Sequence, residues 1–284
     1  MERPTADLVL LGDNLEVLQR FADGSFQLVY ADPPFNTGGK VMRRTLEVVP
    51  DPDGDRVGFK GRRYTSRLLS ESSFRDSFDD YLGFLEPRAR ELHRLLAPSG
   101  TLYLHLDYRE AHYVKLLLDE VFGRECFLNE IVWAYDYGAK ARRRWPAKHD
   151  TILVYVKQPG GYYFDSEAVD REPYMAPGLV TAEKAARGKL PTDVWWHTIV
   201  SPTGTEKTGY PTQKPEGVLR RIVQASSRPG DWCLDPFAGS GTLGAVATKL
   251  GRRFVLVDSS PEAVEVARKR LARLAEHAKR VGEA

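Results

Sequence analysis

Five short stretches of the chain carry residue types that could act together on an amine and a nucleoside. The first is Asp32-Pro33-Pro34-Phe35, directly after the apolar run 27–31. Prolines cannot continue a strand ladder, so these residues must sit on a loop at a strand's carboxyl end. There a carboxylate and a proline-bounded carbonyl can accept both hydrogens of an amino group. Phe35 adds a flat apolar face on which a base can stack. A tight turn holding two prolines would look the same, so this motif alone decides nothing. The second stretch is Asp235-Pro236-Phe237-Ala238-Gly239-Ser240-Gly241-Thr242. It lies between a strand-like run and a helical pattern, where glycines let a ligand approach the backbone and the positive end of a helix. It has neither the third glycine of a dinucleotide fingerprint nor the Gly-Lys-Ser/Thr ending of a triphosphate loop.

The third feature is Asp258, which ends the apolar run 254–257. It stands about 20 positions after the glycines, a spacing at which a carboxylate binds ribose hydroxyls. Capping of the next helix is the other use, although Ser259 or Ser260 could do that equally well. The fourth is Tyr210-Pro211-Thr212-Gln213-Lys214-Pro215. A lysine at a helix start opposes the helix dipole, so Lys214 points to an anionic partner such as a carboxylate, unless it is simply solvated. The fifth is Gly12-Asp13-Asn14, whose side chains could pair with a purine edge or merely form a turn and cap.

Positioning these residues requires strands that end at one edge. Strand-like runs at 8–11, 27–31, 101–106, 131–135, 151–156, 232–234 and 254–257 alternate with helical patterns near 15–21, 78–97, 110–122, 215–226, 242–250 and 261–278. That alternation predicts an α/β fold with a mostly parallel sheet. The runs 131–135 and 151–156 are expected as an edge pair. Between 158 and 209 periodicity fades and Pro, Gly and polar residues rise, which predicts an irregular insert.

Composition narrows the class. The 284 residues are 42% hydrophobic and 28% charged, as in an ordinary globular protein. With 41 basic and 39 acidic residues the net charge is only +2, so any basic face must come from clustering. Two cysteines without a CxxC pair argue against a zinc knuckle or a disulfide scaffold, and scattered histidines suggest no metal site. No run approaches the ~18 apolar residues of a membrane span, and the N-terminus carries no apolar signal core.

Together the motifs resemble those of the amino-directed DNA methyltransferases, in which a catalytic Asp-Pro-Pro-Tyr/Phe partners a Phe-x-Gly-x-Gly cofactor motif. Here these are Asp32 to Phe35 and Phe237 to Gly241, with the catalytic motif first, the order of the permuted β group. Residues 11–15 resemble the motif that touches the cofactor adenine, and 210–215 the motif near its methionine end. The resemblance covers 7–157 and 194–275. It implies a doubly wound, mostly parallel, circularly permuted class I fold that uses S-adenosyl-L-methionine. It implies catalytic roles for Asp32, Pro33, Pro34 and Phe35. It implies cofactor contacts from Asp13, Asn14, Thr212, Lys214, Asp235, Pro236, Phe237, Ala238, Gly239, Ser240, Gly241, Thr242 and Asp258. Asp at the first catalytic position is typical of adenine-N6 enzymes and Ser of cytosine-N4 enzymes, so adenine is expected. Phe35 stands where Tyr is commoner, and Asp258 where Glu is more usual.

The expected partner is double-stranded DNA, with the target base flipped out at a cost of a few kcal/mol. Residues 36–75 hold nine Lys/Arg against five Asp/Glu and are expected as a basic loop that includes Arg43, Arg44, Arg62 and Arg63. Lys140, Arg142, Arg143 and Arg144 form a second basic run beside Trp145, suited to phosphate contact and stacking. The expected division is a catalytic half, 1–157, an insert for target recognition, 158–209, and a cofactor half, 210–284. A prokaryotic, nucleoid-associated cytoplasmic setting is expected, with a homodimer and a cognate restriction endonuclease as partners. The rival readings are cytosine-N4 methylation, amine methylation on RNA or protein glutamine, a dinucleotide oxidoreductase and a non-catalytic DNA-binding module.

Overall fold

A computed structural model describes residues 1–53, 56–57, 63–76, 78–138, 140–201 and 204–282. In chain order the elements are β1 (Leu8–Leu11), α1 (Asn14–Leu18), β2 (Phe26–Ala31), β3 (Gly39–Pro50), β4 (Arg56–Val57) and β5 (Arg63–Asp76). There follow α2 (Tyr81–Leu95), β6 (Leu96–Asp107), α3 (Ala111–Phe122), β7 (Phe127–Ala134), β8 (His149–Val156), α4 (Ala182–Arg187) and β9 (Val194–Trp196). The chain closes with α5 (Glu216–Ser226), β10 (Trp232–Asp235), α6 (Thr242–Lys249), β11 (Arg253–Asp258) and α7 (Pro261–Gly282). Two compact units result, one formed by Met1–Pro33 with Leu82–Ala284 and the other by Pro34–Tyr81.

The larger unit is built on an eight-stranded sheet of order β1-β11-β10-β2-β6-β8-β7-β9. Pairing is parallel from β1 through β6, antiparallel on both sides of β8, and parallel again between β7 and β9. The central strand β2, Phe-Gln-Leu-Val-Tyr-Ala, is buried at every residue. Such a continuous run is what a strand covered on both faces requires. Leu28 and Leu256 share one core cluster with Leu219 and Ile222 of α5 and with Leu243 and Val246 of α6.

Strand order fixes where a ligand can enter. From β10 the chain crosses through α6 to β11, on one side. From β2 it proceeds through α2 to β6, on the other. The order therefore reverses between β2 and β10, and in open α/β sheets ligands bind at the carboxyl ends beside such a switch point. Circular permutation is visible in β1, the first strand, which pairs with β11, the last.

The expected edge pair is corrected. β8 is an interior strand between β6 and β7, and β9 forms the edge. This three-residue strand comes from the segment expected to be irregular; Val194 and Trp196 are exposed while Trp195 is buried. A three-residue strand gives too little alternation to be read from sequence. The remainder of 158–209 is largely irregular, as expected, but clusters with the larger unit. Its backbone is tied there by Tyr163 N–H to the Ser99 carbonyl (3.0 Å) and Asp165 N–H to that of Ala225 (2.8 Å).

The second unit also departs from expectation. In place of a basic loop, its described residues form an antiparallel sheet of order β3-β5-β4. The turn chemistry was present in Asp51-Pro52-Asp53-Gly54. Asp51 accepts from the backbone of Asp53 (3.0 Å) and from the Thr65 hydroxyl (2.6 Å). Within the same unit Asn36, in a left-handed conformation that Asn tolerates, accepts from Phe78 N–H (3.0 Å), and the Tyr81 hydroxyl donates to the Pro34 carbonyl (2.7 Å). Among the described residues no helix is long and apolar enough to cross a membrane.

Candidate active site

Asp32 follows the last residue of β2, and Asp235 is the last residue of β10. These strands are paired parallel neighbours, with Leu234 opposite Val29, so both carboxylates stand at the same edge at the switch point. The tip carrying the prolines and the glycine turn, remote in sequence, are thereby adjacent. Asp32 Oδ2 is held by the Lys214 ammonium at 2.6 Å, with both side chains mostly covered. Asp32 Oδ1 is buried and has no hydrogen-bond partner. A buried unsatisfied acceptor costs about 1–3 kcal/mol and needs a reason.

The glycine turn is held by its own backbone and by Asp258. Phe237 N–H donates to Asp235 Oδ1 (3.0 Å), and Ala238 N–H donates to the Val257 carbonyl (2.9 Å). Asp258, at the end of β11, accepts from Gly239 N–H through Oδ2 and from Ser260 N–H through Oδ1, both at 2.8 Å. Gly241 caps α6 at φ +72°, where a Cβ would lie 2.8 Å from the Ala267 methyl carbon. Both the hand of the turn and the packing therefore demand glycine. The Tyr210 ring covers Gly239 closely enough that a Cβ there would meet it at 3.2 Å. Thr242 donates its hydroxyl hydrogen to the Lys214 carbonyl (3.1 Å), joining the start of α6 to the segment before α5.

The electrostatics follow from this crowding. Burial pushes the Asp235 carboxyl well above its ordinary range, the charges of Asp32 and Asp258 add to the shift, and the Phe237 N–H and Lys214 oppose it. Burial likewise raises Asp258, against its two backbone hydrogen bonds. The carboxyl groups ending β10 and β11, beside the backbone of the glycine turn, suit hydroxyl groups and a cationic centre. A pyrophosphate would face repulsion there, with Lys214 already committed to Asp32. The donor set thus fits a ribose-bearing cofactor carrying positive charge better than a dinucleotide.

Sequence reasoning placed several residues here and missed others. Asp32, Lys214, the 235–242 turn and Asp258 converge. Asn14 joins them by donating from Nδ2 to the Pro236 carbonyl (2.9 Å). Asp13 is the N-cap of α1, accepting from Leu15 N–H at 2.8 Å, and Thr212 is exposed. Arg88 of α2 was missed. It donates to Asn14 Oδ1 (2.7 Å) and Asp13 Oδ2 (2.9 Å), and its guanidinium lies 3.9 Å from the centre of the Phe84 ring. A cation beside an apolar helical stripe was the only signal for it, and most such residues are solvated. Also missed was a buried polar chain. The Tyr30 hydroxyl meets His105 Nδ1 (2.7 Å), His105 Nε2 meets Asp150 Oδ2 (3.1 Å), and the Tyr135 hydroxyl donates to Asp150 Oδ1 (2.9 Å). Burial works to raise Asp150, but the bonds from His105 and Tyr135 and the charges of His105 and Lys214 together outweigh it and hold the carboxyl below its ordinary value.

The basic residues divide. Lys140, Arg142, Arg143, Arg144 and Trp145 are all exposed on the connection from β7 to β8. That connection lies at the Asp32 edge, because Asp150 of β8 pairs with Asp107 at the end of β6, which runs parallel to β2. Trp145 is 93% exposed. In the second unit, Arg43 and Arg44 lie on β3, Arg63 is exposed at the start of β5, and Arg62 lies outside the described residues.

Comparison with known proteins identifies the family and the fold. Residues 26–269 match the DNA methylase family N6_N4_Mtase. The DNA adenine methyltransferase YhdJ of Escherichia coli is 32% identical over 274 residues, spanning 94% of this chain and 83% of that protein. The type II methyltransferase M.HpaI of Haemophilus parainfluenzae is 29% identical over 263 residues, spanning 93% and 73%. Among solved structures the chain resembles the M1.HpyAVI–SAM complex, with a TM-score of 0.60 at 22% identity over 93% of this chain and 98% of the other. It also resembles the cytosine-N4-specific PvuII DNA methyltransferase, with a TM-score of 0.64 at 16% identity over 94% and 87%. At these identities the structural likeness speaks for the fold.

Proposed function

The chain belongs to the N6_N4 DNA methylase family, and from that premise we propose that it methylates the N6 amine of adenine in duplex DNA. It is an S-adenosylmethionine-dependent DNA methyltransferase. The observation that carries the choice of reacting group is Asp32, whose Oδ1 is a buried acceptor without a partner at the switch point.

An exocyclic amine is a poor nucleophile because its lone pair is delocalised into the ring. In the proposed site Asp32 Oδ1 accepts one amine hydrogen and the Pro33 carbonyl accepts the other. That favours a pyramidal nitrogen and stabilises the charge developing on it. The Tyr81 hydroxyl occupies the carbonyl of Pro34, not that of Pro33, and anchors the turn. Phe35 stacks on the flipped base and offsets part of the extrusion cost, by roughly 1–3 kcal/mol. When bound, S-adenosylmethionine supplies an electrophilic methyl group on a sulfonium. The 235–242 turn and Asp258 would hold it, Asp258 using the remaining lone pairs of its oxygens for ribose hydroxyls.

The basic connection from β7 to β8 is assigned to phosphate contact, supported by its exposure and its place at the Asp32 edge. The 158–209 segment is assigned to target recognition. The type II classification of M.HpaI supports a restriction-modification setting, with a cognate endonuclease as partner. Digestion of treated duplex DNA to nucleosides and mass spectrometry tests the base. N6-methyladenine is the expected product. N4-methylcytosine would instead favour the second reading, cytosine-N4 methylation in the same fold.

A further inference from the structure

Lys214 is pinned at both ends. Its carbonyl accepts from the Thr242 hydroxyl (3.1 Å), at the first residue of α6 after the glycine turn. Its ammonium reaches the other half of the site and meets Asp32 Oδ2 at 2.6 Å. The preceding residue is equally fixed. Gln213 Oε1 accepts from the backbone and hydroxyl of Thr208, both at 2.8 Å, and its Nε2 donates to the Glu206 carbonyl (2.7 Å). On the other side Pro215 is buried and caps α5. The lysine therefore joins the start of α6 to Asp32 from a fixed root.

We infer that Lys214 is a positioning residue for amine methylation: it occupies Asp32 Oδ2 and thereby fixes Oδ1 as the acceptor for the target amine. This rests on the reading of Asp32 given above and assigns Lys214 away from the cofactor's carboxylate. Two features of the geometry support it. The two oxygens of Asp32 are in opposite states, one bonded to the ammonium and the other buried without a partner. A carboxylate on a strand tip can otherwise rotate about its side-chain bonds, and a compact ammonium selects one orientation.

Charge refines the role. A cation beside an amine that is itself becoming positive opposes the reaction, so Lys214 acts by orientation and not by stabilising the transition state. Asp150 and Asp235 also feel its charge, which favours the ionised form of each. A neutral donor should then replace it in part, and an apolar side chain of similar length should not.

The test uses the full-length protein with Lys214→Met, Lys214→Gln and Asp32→Asn, singly and combined. The readouts are single-turnover methyl transfer to duplex DNA, cofactor affinity by calorimetry, and thermal unfolding to verify folding. Misplacement of a reacting group costs up to about 100-fold, so Lys214→Met should slow transfer by roughly 10–100-fold. Lys214→Gln should recover most of that loss. In the Asp32→Asn background Lys214→Met should add less than about threefold, because coupled residues are not additive. Cofactor affinity should stay within about threefold throughout. If Lys214→Met fails to fold, Lys214→Ala with a small primary alkylamine replaces it, and restored transfer is expected. A tenfold or larger loss of cofactor affinity with the transfer rate preserved, or full additivity with Asp32→Asn, would overturn the assignment. If the unmutated protein binds cofactor but methylates no DNA, the reading of the reaction has failed; unchanged cofactor affinity in Lys214→Met would then still exclude the carboxylate-binding role.

Discussion

Gly241→Ala probes the joint between fold and site. The residue sits at φ +72°, and a methyl group there would lie 2.8 Å from the Ala267 side chain. A left-handed conformation costs an L-residue roughly 1–2 kcal/mol. Forcing a methyl into a packed contact adds about 1–3 kcal/mol. The stiffer unfolded chain returns about 0.4–1 kcal/mol. The net loss is roughly 1–4.5 kcal/mol, which for a chain of this size lowers Tm by about 2–8 °C. Gly160→Ala is the control. Its φ is +70°, but nothing lies within 4 Å of the added carbon, so the conformational cost acts alone. That variant should lose about 1 kcal/mol or less. Cofactor affinity should fall with Gly241→Ala, because the displaced helix start carries Thr242 and the turn around Gly239, and should not change with Gly160→Ala. Calorimetric unfolding and binding measure both. Equal Tm losses in the two variants would refute the packing argument, and unchanged cofactor affinity in Gly241→Ala would refute the assignment of this turn.

Other outcomes follow from the same geometry. Burial raises the Asp235 carboxyl, so the folded state takes up a proton above the ordinary value of 3.8, and stability is lost as pH rises through the shifted range. Asp235→Asn keeps the acceptor for Phe237 N–H and lacks that loss. It should therefore melt higher than the wild type at pH 7, with the gap closing near pH 4. Arg88→Ala leaves buried Asn14 Oδ1 without its donor and should cost about 1–3 kcal/mol, along with cofactor affinity, through the link from Asn14 to Pro236. By contrast, Arg90→Ala breaks only exposed ion pairs, with Glu86 and Glu120, and should change Tm very little. Replacing Arg142, Arg143 and Arg144 together by Ala should weaken DNA binding. The slope of log affinity against log salt should become shallower by up to about 0.9 per phosphate contact removed, with cofactor affinity unchanged.

Much of the site was legible because it is carried by short segments with unusual chemistry. Asp-Pro-Pro-Phe ends a strand by removing donors, and Gly239 and Gly241 mark a turn that only glycine can make. Their adjacency needed strand order, since nothing local in the sequence tells that β2 and β10 are neighbours. The parallel core strands were visible as continuous apolar runs. β9 was not, because three residues carry too little pattern. The β3–β5 hairpin was read by its charge, although Asp51-Pro52-Asp53 already signalled a turn. Arg88 and the Tyr30–His105–Asp150–Tyr135 chain were beyond reach because each partner lies on a different element. A buried polar residue resembles any other until its partner is known.

The most direct test of the central claim is single-turnover methyl transfer by Asp32→Ala with saturating cofactor and cognate DNA. Removing one preorganised hydrogen-bonding group from a developing charge typically costs about 100–1,000-fold. A loss of that order with cofactor affinity retained is the predicted result. Transfer by Asp32→Ala at the wild-type rate would contradict the account.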